Sequence, residues 1–476
     1  MLTRRTARDF LRTGSGRLGT AFFLGMVVIS VFVLLTYPPD FGTSHWSNPA
    51  VWADYPKSAP PAWTGFLAAT KPAEQQVFRL SQPTQTTVEA GVRDENYQLG
   101  TDLQSDQPPT LLSLSLSDVT FYGRSPVMSL TVARPDQTQV LLFSFVVPGP
   151  SAGETLPVTR YSGTPYRVEL SGEPDAIASV SNFVQSTFGV QVTQDQMARE
   201  GMLNYLFGVP QGGGFGVLKG TYTIQASVLL YDSRDSVGQV GVVLGGSTYG
   251  LLGTDSVGRD LAVGVLYGFP VALFIALVTS ILTTILGTFA GIASGYYGGK
   301  TDLLLQRIAD VLNNVPLLPI LIFMAFIFGQ KLWVVIFVLT AFGWPGITVI
   351  IRSMVLQIRS QQFIEAAEVL GASKNRIITR HIFPQTAPYV LAQMILIAPG
   401  AILAEAGLSF LGLGDPSIPT WGQILESGFR SGALYVGQWW WVLPPGLLIV
   451  FTAMTFVLIS LGLEPIVNPR LRRRGR

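Results

Sequence analysis

Long apolar runs occupy the start of the chain and most of its second half. Six of these runs reach the roughly 20 residues that a helix needs to cross about 30 Å of hydrocarbon. They predict membrane-spanning helices at 18–37, 267–294, 303–328, 332–356, 386–410 and 442–464. The first run follows an Arg-rich start, but it is long for a signal peptide and lacks a small-x-small cleavage site after it. We therefore expect a retained membrane anchor.

The pattern between residues 38 and 253 is that of a water-soluble domain, rich in Pro, Gly, Ser and Thr. Period-two alternation predicts strands at 119–121, 127–132, 140–147, 166–170 and 222–231. Helical spacing predicts one helix at 175–188 and a second from a capping box at Thr193 to about Phe207. We predict an inserted α+β domain whose first part, 38–110, is turn-rich.

The composition indicates a membrane protein, and the distribution of basic residues predicts its orientation in the membrane. Of the 476 residues, 48% are hydrophobic and 13% are charged, about half the charged fraction of soluble domains. Basic residues cluster before the first helix, around the connection between the fourth and fifth helices, and in the last residues. The positive-inside rule makes these regions cytosolic. It predicts a cytosolic basic N-terminus (1–17), an extracytoplasmic domain (38–253), a five-helix membrane core (254–464) and a cytosolic basic tail (465–476).

Few residues could support catalysis. The chain has two histidines and no cysteine, and it lacks H-E-x-x-H and G-x-S-x-G motifs. The segment from Ser294 to Thr301 ends like a Walker A loop, but it lacks the first glycine and follows a membrane helix. We predict no catalytic, metal-binding or cofactor-binding residue on this chain. The basic tails indicate topology and anionic-lipid contact rather than nucleic-acid binding.

Glycines and prolines in the apolar runs indicate how the helices pack. Gly287, Gly291 and Gly295 recur at every fourth position, a spacing that lets helix backbones approach closely in lipid. Pro316 and Pro319 should kink the third helix, because each removes a backbone donor.

Three charged residues within the apolar runs are candidates for a pathway through the membrane. Arg307 and Asp310 are three residues apart on one helical face, so they form either a structural ion pair or part of the route. Glu405 has no basic residue within a helical turn. Its role is equally open between structure and pathway.

The cytosolic segment 365–384, EAAEVLGASKNRIITRHIFP, is a polar, basic loop between two membrane helices. It resembles the EAA loop of ABC importer permeases, with Glu365, Ala366 and Ala367 followed by Gly371 and by the run from His381 to Pro384. Two further motifs, LGTDSVGRD at 252–260 and AEAGLSFLGLG at 404–414, extend the similarity to the second permease subunit of dipeptide, oligopeptide and nickel importers. The resemblance covers about 250–471 and the first helix. The large domain after that helix departs from the family.

The resemblance implies a type I ABC importer permease fold with six helices and a short coupling helix from Glu365 to about Ile377. Gly371 would permit a tight bend there. Lys374, Arg376 and Arg380 would pair with acidic groups on an ATPase, or else face lipid or solvent. The implied partners are a second homologous permease, one or two cytosolic ATPases that hold ATP and magnesium, and an extracytoplasmic substrate-binding protein. The implied location is a bacterial or archaeal cytoplasmic membrane.

Several alternatives remain at this point. Peptides are the family's commonest cargo, whereas nickel or another small solute is the alternative. A receptor with a sensing ectodomain, or a channel, would be a different class. The inserted domain could be an assembly surface for the partner permease, a docking platform for the binding protein, or a site of direct substrate capture.

Overall fold

The computed structural model describes residues 10–467, with side chains described up to residue 463. The basic residues predicted before residue 10 and after residue 467 lie outside this range. The described chain forms two compact units. The membrane unit contains the chain up to Asn48 and from Ala262 onward, and the β-rich unit is Pro49–Leu261. These boundaries differ from the predicted ones at 38 and 253, because residues 38–48 group with the membrane unit and the LGTDSVGRD segment folds with the β-rich unit.

Helix α1, Gly14–Thr36, precedes the β-rich unit, which is built from two five-stranded antiparallel sheets and a hairpin. One sheet has the order β1-β12-β4-β7, with β8 also paired to β4, and the other has the order β2-β3-β11-β5-β6. The strands are β1 Gln76–Leu80, β2 Gln85–Glu89, β3 Val92–Leu103, β4 Leu111–Phe121, β5 Val127–Ala133, β6 Gln139–Val146, β7 Val158–Arg160, β8 Tyr166–Glu169, β9 Gly208–Gln211, β10 Gly214–Val217, β11 Gly220–Leu230 and β12 Ser236–Gly245.

Four helices accompany these strands: α2 Pro49–Trp52, α3 Pro174–Phe188, α4 Gln194–Glu200 and α5 Met202–Leu206. The predicted strands and helices all lie within observed elements or overlap them, but the second predicted helix is divided at Gly201, which has a φ of +89°. The prediction of a turn-rich 38–110 segment is wrong from residue 76 onward, where β1 to β3 lie. Polar residues dominate β3, and its alternation appears in the structure as the burial of Tyr97, Leu99, Thr101 and Leu103.

A single core joins the two sheets and the helices of the β-rich unit. Arg134 lies in this core with its side chain fully buried. Its guanidinium pairs with Asp136 at 3.0 Å and donates to the carbonyl oxygens of Leu206 at 2.6 Å and Gly208 at 3.0 Å. A planar group with several donors can satisfy all three partners at once. Arg134 therefore ties the end of β5 to the segment between α5 and β9.

The membrane unit continues with nine helices in the described chain. They are α6 Leu261–Tyr297, α7 Gly299–Asn314, α8 Leu317–Phe328, α9 Leu332–Arg359, α10 Gln362–Val369, α11 Lys374–Ile377, α12 Phe383–Phe410, α13 Trp421–Arg430 and α14 Trp439–Val467. Helix α1 packs against α14, and α14 packs against α12 and α13. Within residues 10–467, five helical stretches are long and apolar enough to span a membrane, namely α1, α6, α9, α11 with α12, and α14.

The predicted membrane-spanning stretch at 303–328 consists of two helices in the structure. Helices α7 and α8 meet at an angle of 87°. Val315 and Pro316 are both extended at this break, with ψ angles of 125° and 123°. A residue before proline avoids the helical region, and proline itself cannot donate to the preceding turn. The predicted kink at Pro316 is therefore a full break.

Candidate functional site

The loop at 365–384, which the sequence predicts to be cytosolic, forms a helix-turn-helix. Helix α10 ends at Val369, and Gly371 follows with a φ of +79°. The Gly371 N–H donates to the Glu368 carbonyl at 2.9 Å, and the Ala372 N–H donates to the Ala367 carbonyl at 3.0 Å. This is the Schellman pattern of a helix C-terminus, in which glycine takes the left-handed position.

The second arm of this helix-turn-helix starts immediately after the turn. The Ser373 hydroxyl caps it by accepting from the Arg376 N–H. Helix α11 then runs through a π-helical turn, Ile378–Ile382, into α12. A single coupling helix from Glu365 to Ile377, as predicted, is therefore wrong, because the positive φ at Gly371 ends the first helix. The predicted bend at Gly371 is observed.

The inner face of the helix-turn-helix is apolar and buried. Ile364, Ile377 and Ile382 pack in one cluster with residues of α6 and α9, namely Ile292, Tyr296, Ile347, Ile351, Val355 and Ile358. Because well-packed side chains transmit displacement rather than absorbing it, a force on α10 or α11 acts on both of these long helices.

The outer face carries the tip and the basic residues of the loop. Val369 and Leu370 are 88% and 86% exposed, although both are large and apolar. Lys374, Arg376 and Arg380 are exposed as well. None of these three cations belongs to an ion pair in the described part of the chain. The Lys374 ammonium group lies 5.7 Å from the centroid of the Tyr297 ring. The outer face thus offers an apolar tip beside positive charges that have no carboxylate partner among the described residues.

The remaining predicted loop residues lie around this tip. Glu365 and Ala366 are exposed on α10, and Ala367 is half-buried. The His381 ring lies 6.1 Å from the Phe363 ring, measured between centroids, and joins the two arms. Pro384 is exposed at the start of α12, directly after the π-helical turn.

The glycine spacing of α6 produces the close helix contact that it predicts. A Cβ atom on Gly287, Gly291 or Gly295 would stand 2.7–2.8 Å from the Cβ atoms of Ile347, Ile351 and Val355 on α9. The Thr348 hydroxyl also donates to the Gly287 carbonyl at 3.1 Å across this contact. Ile347, Ile351 and Val355 also belong to the apolar cluster that buries the inner face of the helix-turn-helix. The loop and the two helices therefore share one packed surface.

Of the two alternatives for Arg307 and Asp310, the ion pair is not formed in this structure. Both side chains are exposed, and no ion pair joins them among the described residues. Asp302 instead receives two hydrogen bonds of 2.6 Å from Arg352, one from Nε and one from a terminal nitrogen. Sequence reasoning missed this bidentate pair because its members are 50 residues apart. The available signal was an acid and a base at the ends of two consecutive predicted membrane helices.

Glu405 is buried in α12 and has polar partners. Its Oε1 accepts a hydrogen bond of 2.6 Å from the Ser409 hydroxyl, and the Thr420 side chain also interacts with the carboxyl group. Nearby, the Trp421 indole donates to the Val265 carbonyl at 2.8 Å, which fixes α13 against α6. Hydroxyl groups therefore contact this carboxyl group, which has no basic residue within a helical turn. A pathway role for Glu405 remains a prediction, as it does for Arg307 and Asp310.

Comparison with known proteins finds similarity to transport permeases. Residues 284–473 match the family of binding-protein-dependent transport system inner membrane components. The chain is 35% identical over 222 residues to the dipeptide transport system permease protein DppC of Bacillus subtilis, covering 46% of this chain and 69% of that one. It is 40% identical over 226 residues to a putative peptide transport system permease protein of Brucella abortus, covering 47% and 75%.

A solved structure described as inward facing conformations of the MetNI methionine ABC transporter aligns with a TM-score of 0.34 and 21% identity, over 45% of this chain and 96% of that chain. A score this low supports no inference about the fold. The sequence relatives do, because the chain covers more than two thirds of proteins to which it is at least 35% identical. On that ground, this chain belongs to the permease family of peptide ABC importers, the inner membrane components of binding-protein-dependent transport systems.

Proposed function

We propose that this chain is one of two permease subunits that together form the pathway of an ATP-driven peptide importer. The names of its relatives, a dipeptide permease and a putative peptide permease, support a peptide cargo. ATP and magnesium would be bound and used by separate cytosolic ATPases. An extracytoplasmic binding protein would deliver the peptide. The chain itself contributes helices, a pathway and a docking loop rather than a catalytic group.

The proposed topology has six spans, with α7 and α8 together counted as one broken span beside the five continuous ones. Both termini and the helix-turn-helix would be cytosolic, and the β-rich unit would be extracytoplasmic. The distribution of Lys and Arg along the chain supports this orientation. The membrane would be the cytoplasmic membrane of a bacterium or an archaeon.

The observation that carries the coupling role is the contrast between the two faces of the helix-turn-helix. Val369 and Leu370 are nearly fully exposed at the tip. The isoleucines behind them are buried against α6 and α9. Exposed apolar side chains on a rigid support are typical of a surface that a partner covers. A groove on the ATPase that received this tip would move α6, α9 and α12 together when ATP binds.

The double variant Val369→Asp, Leu370→Asp tests this role. Because both side chains lack packing within the chain, the variant should fold and insert normally. It should nevertheless fail to retain the ATPases, since docking would bury two carboxylates without partners. Val436→Asp is a matched control, since Val436 is another exposed valine in the membrane unit but lies between α13 and α14.

The measurement is co-purification of the ATPases with the assembled permease, followed by uptake of a labelled peptide into proteoliposomes. The docking proposal predicts loss of both signals in the double variant and wild-type signals in the Val436 control. Retention of the ATPases with wild-type uptake in the double variant would disprove it. Uptake of nickel ions but of no peptide by the wild-type assembly would instead overturn the proposed cargo.

For the β-rich unit we propose a role in docking or assembly. Its cavity of about 710 Å³ beside α4 and α5 is lined by one charged side chain, Glu200. That carboxylate already accepts hydrogen bonds from Tyr205 and from Gln196, which argues against direct substrate capture there. Replacing residues 45–245 by a short linker separates the remaining possibilities. A docking platform would lose binding-protein affinity with the permease pair intact, whereas an assembly surface would lose the pair itself.

A further inference from the structure

The β-rich unit exposes a small apolar tip that none of the roles above uses. It consists of Trp63, Phe66 and Leu67, in and after the 3₁₀ turn Ala62–Phe66, together with Leu251. Phe66, Leu67 and Leu251 are 91%, 81% and 67% exposed. Residues 59–70, APPAWTGFLAAT, contain no charged residue.

The tip is held rigidly, so its exposure is a property of the folded unit. The Ala62 N–H donates to the Gly250 carbonyl at 2.9 Å, and the Trp63 indole N–H donates to the Leu251 carbonyl at 3.0 Å. The Thr64 hydroxyl donates to the Pro61 carbonyl at 2.6 Å within the turn. These bonds fasten the 3₁₀ turn to residues 250–251 and aim its large side chains outward.

The same segment is tied to the start of a membrane helix. The Gly253 carbonyl, two residues after Leu251, accepts from the N–H of Leu261 at 3.1 Å. Leu261 is the first residue of α6. The fully buried Thr254 completes the connection, because its hydroxyl accepts from the Ala59 N–H at 2.9 Å. A short chain of hydrogen bonds therefore links the tip to the residue at which the polypeptide enters its 37-residue apolar helix.

We propose that this tip inserts into the boundary between lipid headgroups and acyl chains and anchors the β-rich unit on the membrane surface. Trp with Phe and Leu is the composition that favours this boundary, where an indole can keep its N–H bonded while its ring is buried. The absence of charge from residues 59–70 removes the cost of placing the segment among acyl chains. The segment that carries the tip is also hydrogen-bonded to Leu261, the residue at which the apolar helix α6 begins.

A single introduced cysteine tests the proposal, because the natural chain contains none. Leu67→Cys in the full-length chain is labelled with an environment-sensitive fluorophore and incorporated into lipid nanodiscs. Nitroxide groups are carried either on the lipid headgroups or on the acyl chains. Val88→Cys is the matched control, since Val88 is 67% exposed in the same unit but lies in strand β2. Phe66→Cys is a second position in the tip, in case one label perturbs the turn.

We expect a blue-shifted emission and the loss of most fluorescence at positions 66 and 67 with nitroxide lipids, and neither effect at position 88. Water-like emission without quenching at both tip positions would overturn the proposal. A blue shift without lipid quenching would also overturn it, because it would mean that protein, rather than lipid, covers the tip. The experiment requires no ATPase or substrate, so its result is independent of transport.

Discussion

The substitution Gly291→Ala tests how closely α6 and α9 must approach. A Cβ atom at this position would stand 2.7 Å from Ile351 Cβ, 2.8 Å from Ile351 Cγ2 and 2.9 Å from the Thr348 carbonyl oxygen. Carbon atoms in favourable contact are about 3.5–4.0 Å apart. The helices would therefore have to separate by about 1 Å at this point, since backbone and Cβ atoms cannot rotate out of the way.

The expected loss of folding free energy depends on the contacts that are disrupted when α6 and α9 separate. Ile351 is fully buried, so the strain has no free space to enter. The Thr348 to Gly287 hydrogen bond of 3.1 Å crosses the same contact and would lengthen. Overpacking of this kind costs about 1–3 kcal/mol, and we expect about 2 kcal/mol of destabilisation. Helix propensity alone predicts the opposite sign, because alanine is favoured over glycine by about 1 kcal/mol in a helix interior.

The measurement is thermal unfolding of the purified full-length chain in detergent. Gly346→Ala is the matched control, because Gly346 lies in α9 and no heavy atom stands within 4 Å of the Cβ that it would gain. We expect the control to unfold at or above the wild-type temperature and Gly291→Ala to unfold well below it. Equal stability of the two variants would refute the close packing of α6 on α9.

Three further predictions concern charged groups. Arg134→Met should destabilise the β-rich unit by about 3 kcal/mol in denaturant titrations, because it leaves a carboxylate and two carbonyls without their buried partner; an unchanged midpoint would contradict this. Hydrogen bonding from Arg160 lowers the pKa of Glu154 to about 2 from its usual 4.5. The stabilisation from the Glu154–Arg160 interaction is therefore present above pH 4.5 and lost as the pH falls toward 2. Glu154→Gln should reduce this pH dependence of thermal unfolding. Asp302→Asn should lower stability by about 1–2 kcal/mol, and a double-mutant cycle with Arg352→Gln should recover a coupling between the two residues.

Local patterns identified most elements of this protein. The apolar runs predicted each continuous membrane helix, since length and hydropathy are properties of one segment. Most of the predicted helix ends lie within a few residues of the observed ends. Alternation predicted β5, β6, β8, β11 and the end of β4, whereas β12, the first part of β4 and the polar β3 were not predicted. The bend at Gly371 was expected from its motif. The full break at Pro316 was underestimated as a kink, because sequence cannot show whether neighbouring helices will hold a proline-containing helix together.

Sequence by itself determined the membrane class of the chain, its separate inserted domain and its family resemblance, and its charge distribution predicts an orientation. Each follows from composition, from short periodic patterns or from motifs within a few residues. Tertiary structure alone decided which groups meet: Asp302 with Arg352, the glycines of α6 with the β-branched residues of α9, and the Trp421 indole with the Val265 carbonyl. It also decided that Val369 and Leu370 are exposed while Ile364 and Ile377 are buried. The physical reason is that burial and pairing depend on the packing of elements far apart in the chain, which no local pattern specifies.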